Sequence, residues 1–256
     1  MMTSLDLNGV ATVKIDERYT SQISNEIYHL FSVADYAGLV KHVSGLNASE
    51  YQSIAKKYNR ILAGPIATLA SSISDQDSIK DLIGASKLMV TTISPFEQFN
   101  RPCLRSNSPD FFFRIVRHNQ PSDVGLPHFD KQFWELAHGT HAQPGTSFYQ
   151  KRWKIWIPLA GCDEHNSLRF IAGSHLEDIP VAIDSTFLTQ TAYATRASGT
   201  PCISPSWVAS NRDRFKAFAF QAGTCNLFHD KVVHMGPVNC STLLRLSAEF
   251  TIAVLA

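Results

Sequence analysis

No apolar run in the chain approaches the roughly 18 residues that a membrane-spanning helix needs, so no transmembrane segment is read from it. Charge of neither sign prevails: 23 Lys and Arg stand against 22 Asp and Glu, for a net +1. With no basic run either, a nucleic-acid-binding surface is not expected. Cysteine is sparse and unpatterned. Cys103, Cys162, Cys202, Cys225 and Cys240 are odd in number, widely spaced and without a C-x-x-C pair. That argues against a disulfide framework or a zinc knot and for reduced thiols in a cytoplasmic protein. The first twenty residues, MMTSLDLNGVATVKIDERYT, are polar with early acids, which does not suit a signal peptide. Internal repeats and low-complexity tracts are also missing. What remains is a chain of 256 residues, 44% hydrophobic and 11% aromatic. That is enough apolar material for one large soluble catalytic domain with a real core.

Two regions differ in pattern. Residues 1–95 read as mostly helical. A first helix is expected from Ser21 through Val43, with Ile23, Ile27, Leu30, Phe31 and Leu39 at helical spacing. A second spans 48–73, with Gly64-Pro65 expected to kink or end it. A third covers 75–90, capped by Ser74 or Asp75. From about Phe96 the chain breaks into short β-branched and aromatic runs at 111–117, 153–159, 167–171, 215–220, 224–228 and 243–253, separated by Gly, Pro, Asn and Asp. Such runs predict an antiparallel sandwich or barrel, so the class is mainly β with N-terminal helices (α+β). Long loops are expected at 131–152 and 176–214, the second a lid-like insertion.

The stretch GLPHFDKQFW places His128 and Asp130 two apart in a segment that otherwise reads as extended. In a strand such residues share a face, so an imidazole and a carboxylate could reach one cation. Ten histidines and fourteen aspartates would yield about half an H-x-D match by chance in a chain of this length, and His175-Leu-Glu177 competes with it. A second histidine would complete the facial triad of two histidines and a carboxylate used for non-haem iron(II) oxygen chemistry. NLFHDKVVHMGPVNC offers His229 and His234, five apart and therefore on opposite faces of an extended chain. Arg245 follows His234 by eleven residues. A hairpin turning between Asn239 and Cys240 would set 234 opposite 245, putting a ligand and a guanidinium on one face. Arginine supplies the bidentate fork that the far end of a chelating dicarboxylate needs.

These motifs occur in order: H-x-D, then WIPL, then GSH, then H-x-G with Arg eleven residues on. Together they resemble the phytanoyl-CoA dioxygenase family of Fe(II)/2-oxoglutarate oxygenases over roughly residues 110–252. The resemblance implies a double-stranded β-helix (jelly-roll, cupin-like) core, with His128, Asp130 and His234 as iron ligands. It implies that Arg245 binds the distal carboxylate of 2-oxoglutarate, that Trp156 lines the co-substrate pocket, and that His229 is not a ligand. The family's P-G-S-H turn reads Ala172-Gly173-Ser174-His175 here. The position two after the distal histidine, which can carry a hydroxyl for the co-substrate, is Gly236. Another donor must then serve, with Lys154 on the face of Trp156 or an arginine on the 111–117 strand as candidates.

The implied reaction consumes O2 and 2-oxoglutarate, releases succinate and CO2, and oxidises a small-molecule substrate. Halogenating relatives replace the carboxylate ligand with a small residue, so Asp130 predicts hydroxylation, desaturation or cyclisation. Phe133, Trp134, Tyr193, Arg196 and Trp207 are candidate substrate contacts; His138 and His141 could form a second metal pair, but loop histidines three apart read better as substrate contacts or solvated side chains. The low charge of 176–214 suits a modest-sized, mostly neutral metabolite. Two other readings are weighed. A zinc hydrolase can use the same ligand set but leaves Arg245 unexplained. A catalytically silent jelly-roll binding protein would be expected to have lost a ligand. Composition does not reveal the oligomeric state.

Overall fold

The computed structural model describes residues 4–47, 49–51, 53, 63–85, 88–91, 112–132, 149–184 and 200–255. Its N-terminal part is helical with strands inserted: α1 (Ser4–Asn8), β1 (Val10–Lys14), α2 (Glu17–Leu30), α3 (Tyr36–Ser44), α4 (Ala63–Ser74) and α5 (Asp77–Ile83). The first expected helix is in fact two. Its apolar period runs on, but Ser32 takes a left-handed φ of 53°. Asp35 then starts a new helix by accepting the Gly38 amide at 2.8 Å. Of the second, residues 49–51 and 53 are helical, residues 54–62 lie outside the described residues, and α4 carries Pro65 in its first described turn. The third is also shorter than expected. It starts after Gln76 and stops at Gly84, whose φ of 69° is left-handed, and the chain continues into a strand instead.

That strand is β2 (Met89–Thr91), followed by β3 (Phe112–Val116), β4 (Tyr149–Ala160) and β5 (Arg169–Phe170). A hairpin of β6 (Val181–Asp184) and β7 (Thr200–Ile203) and the short α6 (Pro205–Ser210) come next. The chain ends in β8 (Lys216–Ala217), β9 (Thr224–His229), β10 (His234–Met235) and β11 (Arg245–Leu255). The segment expected as the loop 176–214 therefore carries two strands and a helix, while residues 185–199 lie outside the described residues. Of the 131–152 loop, 133–148 also lie outside, and 149–152 belong to β4.

Among the described residues all strand pairings are antiparallel. The large sheet runs β1-β9-β4-β11, and the far edge of β11 is shared by β3, against Arg245–Glu249, and β2, against Thr251–Ala253. A smaller sheet, β10-β5-β8, is separate from it. Alternation along β4 and β11 decides what goes where. Trp153, Ile155, Ile157 and Leu159, with Leu246, Ala248, Phe250 and Ile252, join the helical side chains Ile23, Ile27, Leu39, Val43 and Ile73 in the main core. The opposite face carries Lys154 and Trp156 on β4, and Arg245, Ser247 and Glu249 on β11. Trp156 packs there with Phe228, Phe170 and Val232, bridging the two sheets.

Candidate metal centre

His128 and His234 meet across a two-residue bridge, each backbone N–H donating to the other's carbonyl at 3.1 and 2.9 Å. His234 also pairs with Phe170 through β10. The hairpin expected to set 234 opposite 245 does not form: β10 pairs β5, and Arg245 pairs Val116 of β3. Pro237 cannot donate a ladder bond, and Asn239 holds the intervening chain elsewhere. Its Nδ2 donates to the carbonyls of Val116 and Leu243 at 2.9 and 2.7 Å. The chain thus crosses from the small sheet to the large one.

Each imidazole is oriented by its own backbone. His128 Nδ1 lies 2.6 Å from the Leu126 carbonyl, and His234 Nδ1 lies 2.9 Å from that of Val232. With Nδ1 donating, both Nε2 lone pairs are left for a cation. Asp130 Oδ1 stands 4.0 Å from each Nε2. Ligand atoms of these three residues all fall within 4.8 Å of one another, a donor set of the size and chemistry that holds a divalent metal. Burial, reinforced by neighbouring His234, lowers the His128 pKa to about 4, which keeps the imidazole neutral as a ligand must be. Burial alone would raise Asp130, but the Lys154 ammonium and the two histidines hold it at about 2.

Lys154 lies at the metal end of the site, with Nζ 3.2 Å from Asp130 Oδ2 and 3.6 Å from Glu249 Oε1. Burial opposes the charge on both Lys154 and Glu249, yet the ion pairs prevail, raising the ammonium and lowering the carboxyl. Arg245 is 3% exposed and, among the described residues, no carboxylate lies within ion-pair reach of it. One terminal nitrogen donates to the Asn166 carbonyl at 2.6 Å, while its Nε is buried with no partner among the described residues. Burial lowers its pKa, opposed in part by nearby groups that include Glu249. The guanidinium lies against Gly236, where an added Cβ would stand 3.2 Å from one terminal nitrogen and 3.4 Å from the other. It therefore reaches back to the chain two residues beyond His234.

His229 is held away from the triad, its ring 6.1 Å from Trp153 and 5.6 Å from His175. His175 pins a turn, its Nε2 lying 3.1 Å from the Asp6 carbonyl. Trp207 packs in a small cluster with Ile179, Phe215 and Val233 and lies 5.9 Å from the Arg214 guanidinium. Phe133, Trp134, His138, His141, Tyr193 and Arg196 lie outside the described residues.

Sequence reasoning missed several supports. Ser174 accepts the Val233 amide at 2.9 Å and so fixes the strand beside His234. Asp123 takes a bidentate bond from Arg117, 2.8 Å to each oxygen, locking the segment that leads to His128. Glu249 was legible in principle, since it falls on the face of Arg245 by simple alternation.

The model of the phytanoyl-CoA dioxygenase (PhyH) family matches residues 37–247. The chain belongs to that family. No curated protein matches it in sequence. Among solved structures, EctD from S. alaskensis with 2-oxoglutarate and 5-hydroxyectoine aligns at TM-score 0.55 and 11% identity, over 98% of this chain and 74% of that one. SnoK, a non-heme alpha ketoglutarate dependent carbocyclase from nogalamycin biosynthesis, aligns at 0.53 and 16%, over 97% and 81%. These likenesses carry the fold, a double-stranded β-helix with helices packed outside the larger sheet. As a phytanoyl-CoA dioxygenase family member, the protein is an oxidoreductase that uses iron(II) and 2-oxoglutarate with O2.

Proposed function

We propose that this family member hydroxylates, desaturates or cyclises a small-molecule metabolite, with His128, Asp130 and His234 as the iron ligands and Arg245 as receptor for the distal carboxylate of 2-oxoglutarate. The observation that carries the reading is the buried guanidinium of Arg245, without a carboxylate partner among the described residues, beside the segment that holds His234. An uncompensated charge in a protein interior is costly, and a dicarboxylate would relieve it. A zinc hydrolase has no use for that cation.

When bound, the metal and co-substrate supply the oxidising chemistry, with succinate and CO2 as products. The chain's part is geometric. Three donors on one face would hold the metal and leave it open to co-substrate and O2. The carbonyls of Leu126 and Val232 fix the ring orientations, and Lys154 holds the outer oxygen of Asp130 so that Oδ1 faces the histidines. Lys154 and Trp156 stand with Arg245 in the proposed co-substrate pocket, Lys154 toward the metal. Phe228 and Phe170 flank His234, with ring centroids 4.9 and 6.1 Å away, and keep bulk water from that side. Retention of Asp130 favours oxygenation over halogenation. Phe133, Trp134, Tyr193, Arg196 and Trp207 are the proposed substrate contacts, and a cytoplasmic role in secondary metabolism suits the free thiols.

Adding ferrous iron and 2-oxoglutarate without oxygen should produce the weak visible charge-transfer band of the chelate. His234→Ala should abolish it and Arg245→Ala should weaken 2-oxoglutarate binding at least tenfold. No band from the wild type would favour the zinc hydrolase, and a band indifferent to Arg245 would retire its role.

A further inference from the structure

Residues 6–9 precede the stretch 37–247 that matches the family, yet they bear on the chain that carries His234. α1 ends at Asn8, and Gly9 turns the chain into β1 with a left-handed φ of 70°. This short segment is bonded to both pieces of chain that flank Val233. On one side the Asn8 carbonyl accepts the Gly173 amide at 2.8 Å, and the Asp6 carbonyl accepts from Nε2 of His175 at 3.1 Å. On the other side the Gly9 carbonyl accepts the His229 amide at 2.8 Å.

The two sides meet at the residues before His234. The Val233 carbonyl accepts the Ile171 amide at 3.0 Å, and its own amide donates to Ser174 Oγ at 2.9 Å. The Val232 amide donates to the His229 carbonyl at 2.9 Å, and the Val232 carbonyl lies 2.9 Å from Nδ1 of His234. Gly9 sits directly against Val232. A Cβ there would stand 2.5 Å from Cγ2 of Val232 and would also overlap Nδ1 of His175. Val232 is fully buried among Trp156, Phe170 and Phe228, so it has little room to give. Glycine is required at this position twice over, by its backbone angle and by the contact.

We propose that Gly9 is a positioning residue for the metal centre: its bare Cα seats Val232, whose carbonyl holds the His234 ring with Nε2 toward the cation. The inference rests on the reading of His234 as a metal ligand, and its test separates the two. Gly9→Ala would push Val232 away and its carbonyl with it. Gly223→Ala is the matched control. Gly223 also has a left-handed φ, of 75°, and accepts the Ile15 amide just past the other end of β1. A Cβ added there meets only the flexible side chain of Glu17. Both substitutions strain the backbone beside β1, but only one presses on Val232.

Dissociation constants for cobalt(II) are read from its visible d–d bands in the wild type, Gly9→Ala, Gly223→Ala and His234→Ala, well below each melting temperature. Gly9→Ala should bind cobalt(II) about tenfold more weakly than the wild type and Gly223→Ala within about twofold, because a carbonyl that orients a ligating histidine carries that much of the metal affinity. A second readout needs no metal. The Nδ1–H resonance of His234, assigned by its loss in His234→Ala, should move in Gly9→Ala and stay in place in Gly223→Ala. Binding by Gly9→Ala no weaker than by Gly223→Ala, or an unmoved His234 resonance, overturns the proposal. If Gly9→Ala does not fold, Val232→Ala removes the same contact from the other side. It should weaken cobalt(II) about fivefold and move the same resonance, and an unchanged value of either overturns the proposal as well. Cobalt binding that survives His234→Ala undiminished brings down the parent reading, and this inference with it.

Discussion

The Nζ of Lys154 stands 3.2 Å from Oδ2 of Asp130, while the other oxygen of that carboxylate faces both histidines at 4.0 Å. One ammonium therefore fixes which oxygen a metal would meet. Glu249 holds the same ammonium from the other side at 3.6 Å, with Arg114 a further 4.0 Å from Glu249. Four alternating charges thus link the metal end of the site to β3.

Lys154→Met should show how far that charge matters without metal. Breaking one partner out of a buried pair costs about 3–5 kcal/mol, because the other is left uncompensated. The metal-free variant should melt well below the wild type. A divalent cation supplies the missing positive charge, so saturating manganese(II) should close most of the gap. Thermal melts with chelator and with metal check this, and a gap that metal leaves untouched would contradict it.

The segment leading to His128 depends on one ion pair. Arg117 and Asp123 are nearly inaccessible, at 6% and 0% side-chain exposure, and bond through both carboxylate oxygens. Arg117 also donates to the Leu46 carbonyl and sits 4.4 Å from the ring of Tyr51, whose hydroxyl donates to Ile115. Asp123→Ala should cost about 3–5 kcal/mol. In a domain of this size that is on the order of 10 °C in melting temperature. Asp123→Asn keeps one acceptor and should lose less.

Acid should destabilise the metal-free protein through His128. Its folded pKa is about 4, below the ordinary 6.5, because burial disfavours the charged ring. Above pH 6.5 both folded and unfolded forms are neutral there. As pH falls from 6.5 towards 4 the unfolded chain takes up a proton that the folded one refuses, so stability declines across that window. The His128 ring resonance in an NMR titration should stay flat from pH 7.5 to 5.5, and His128→Gln should flatten the acid limb of a stability curve.

Gly236→Ala is expected to act on the co-substrate and spare the metal. The new methyl would force the Arg245 guanidinium to move by a few tenths of an ångström. Displacing a bidentate donor that far should weaken 2-oxoglutarate several-fold. Anaerobic titration with 2-oxoglutarate, alongside a metal titration, separates the two effects.

Some of this was readable from local pattern alone. The runs at 111–117, 153–159 and 224–228 match β3, β4 and β9 closely, because β-branched and aromatic alternation signals a half-buried strand wherever it pairs. The helix from Ser21 ran too far, because the apolar period of α2 continues into α3 across Phe31–Asp35 and only the backbone at Ser32 and Asp35 reveals the break. β1 and β2 were missed inside a region read as helical. Each is short and owes its existence to an edge, β9 for one and β11 for the other, which lies over a hundred residues away.

The site divides the same way. His128 and Asp130, His234, and Arg245 eleven residues beyond it were named from residue type and spacing, which chemistry restricts tightly because few side chains bind a ferrous ion or grip a carboxylate. How they meet was not in the spacing. The expected hairpin between 234 and 245 gives way to two strands in different sheets, and Ser174 and Lys154 acquire their places only from that arrangement. Sequence by itself determined which side chains carry atoms of the kind a metal or a keto acid can use. Pairing between distant strands, driven by burying Trp156, Phe170 and Phe228 between the sheets, decided which of those side chains come together.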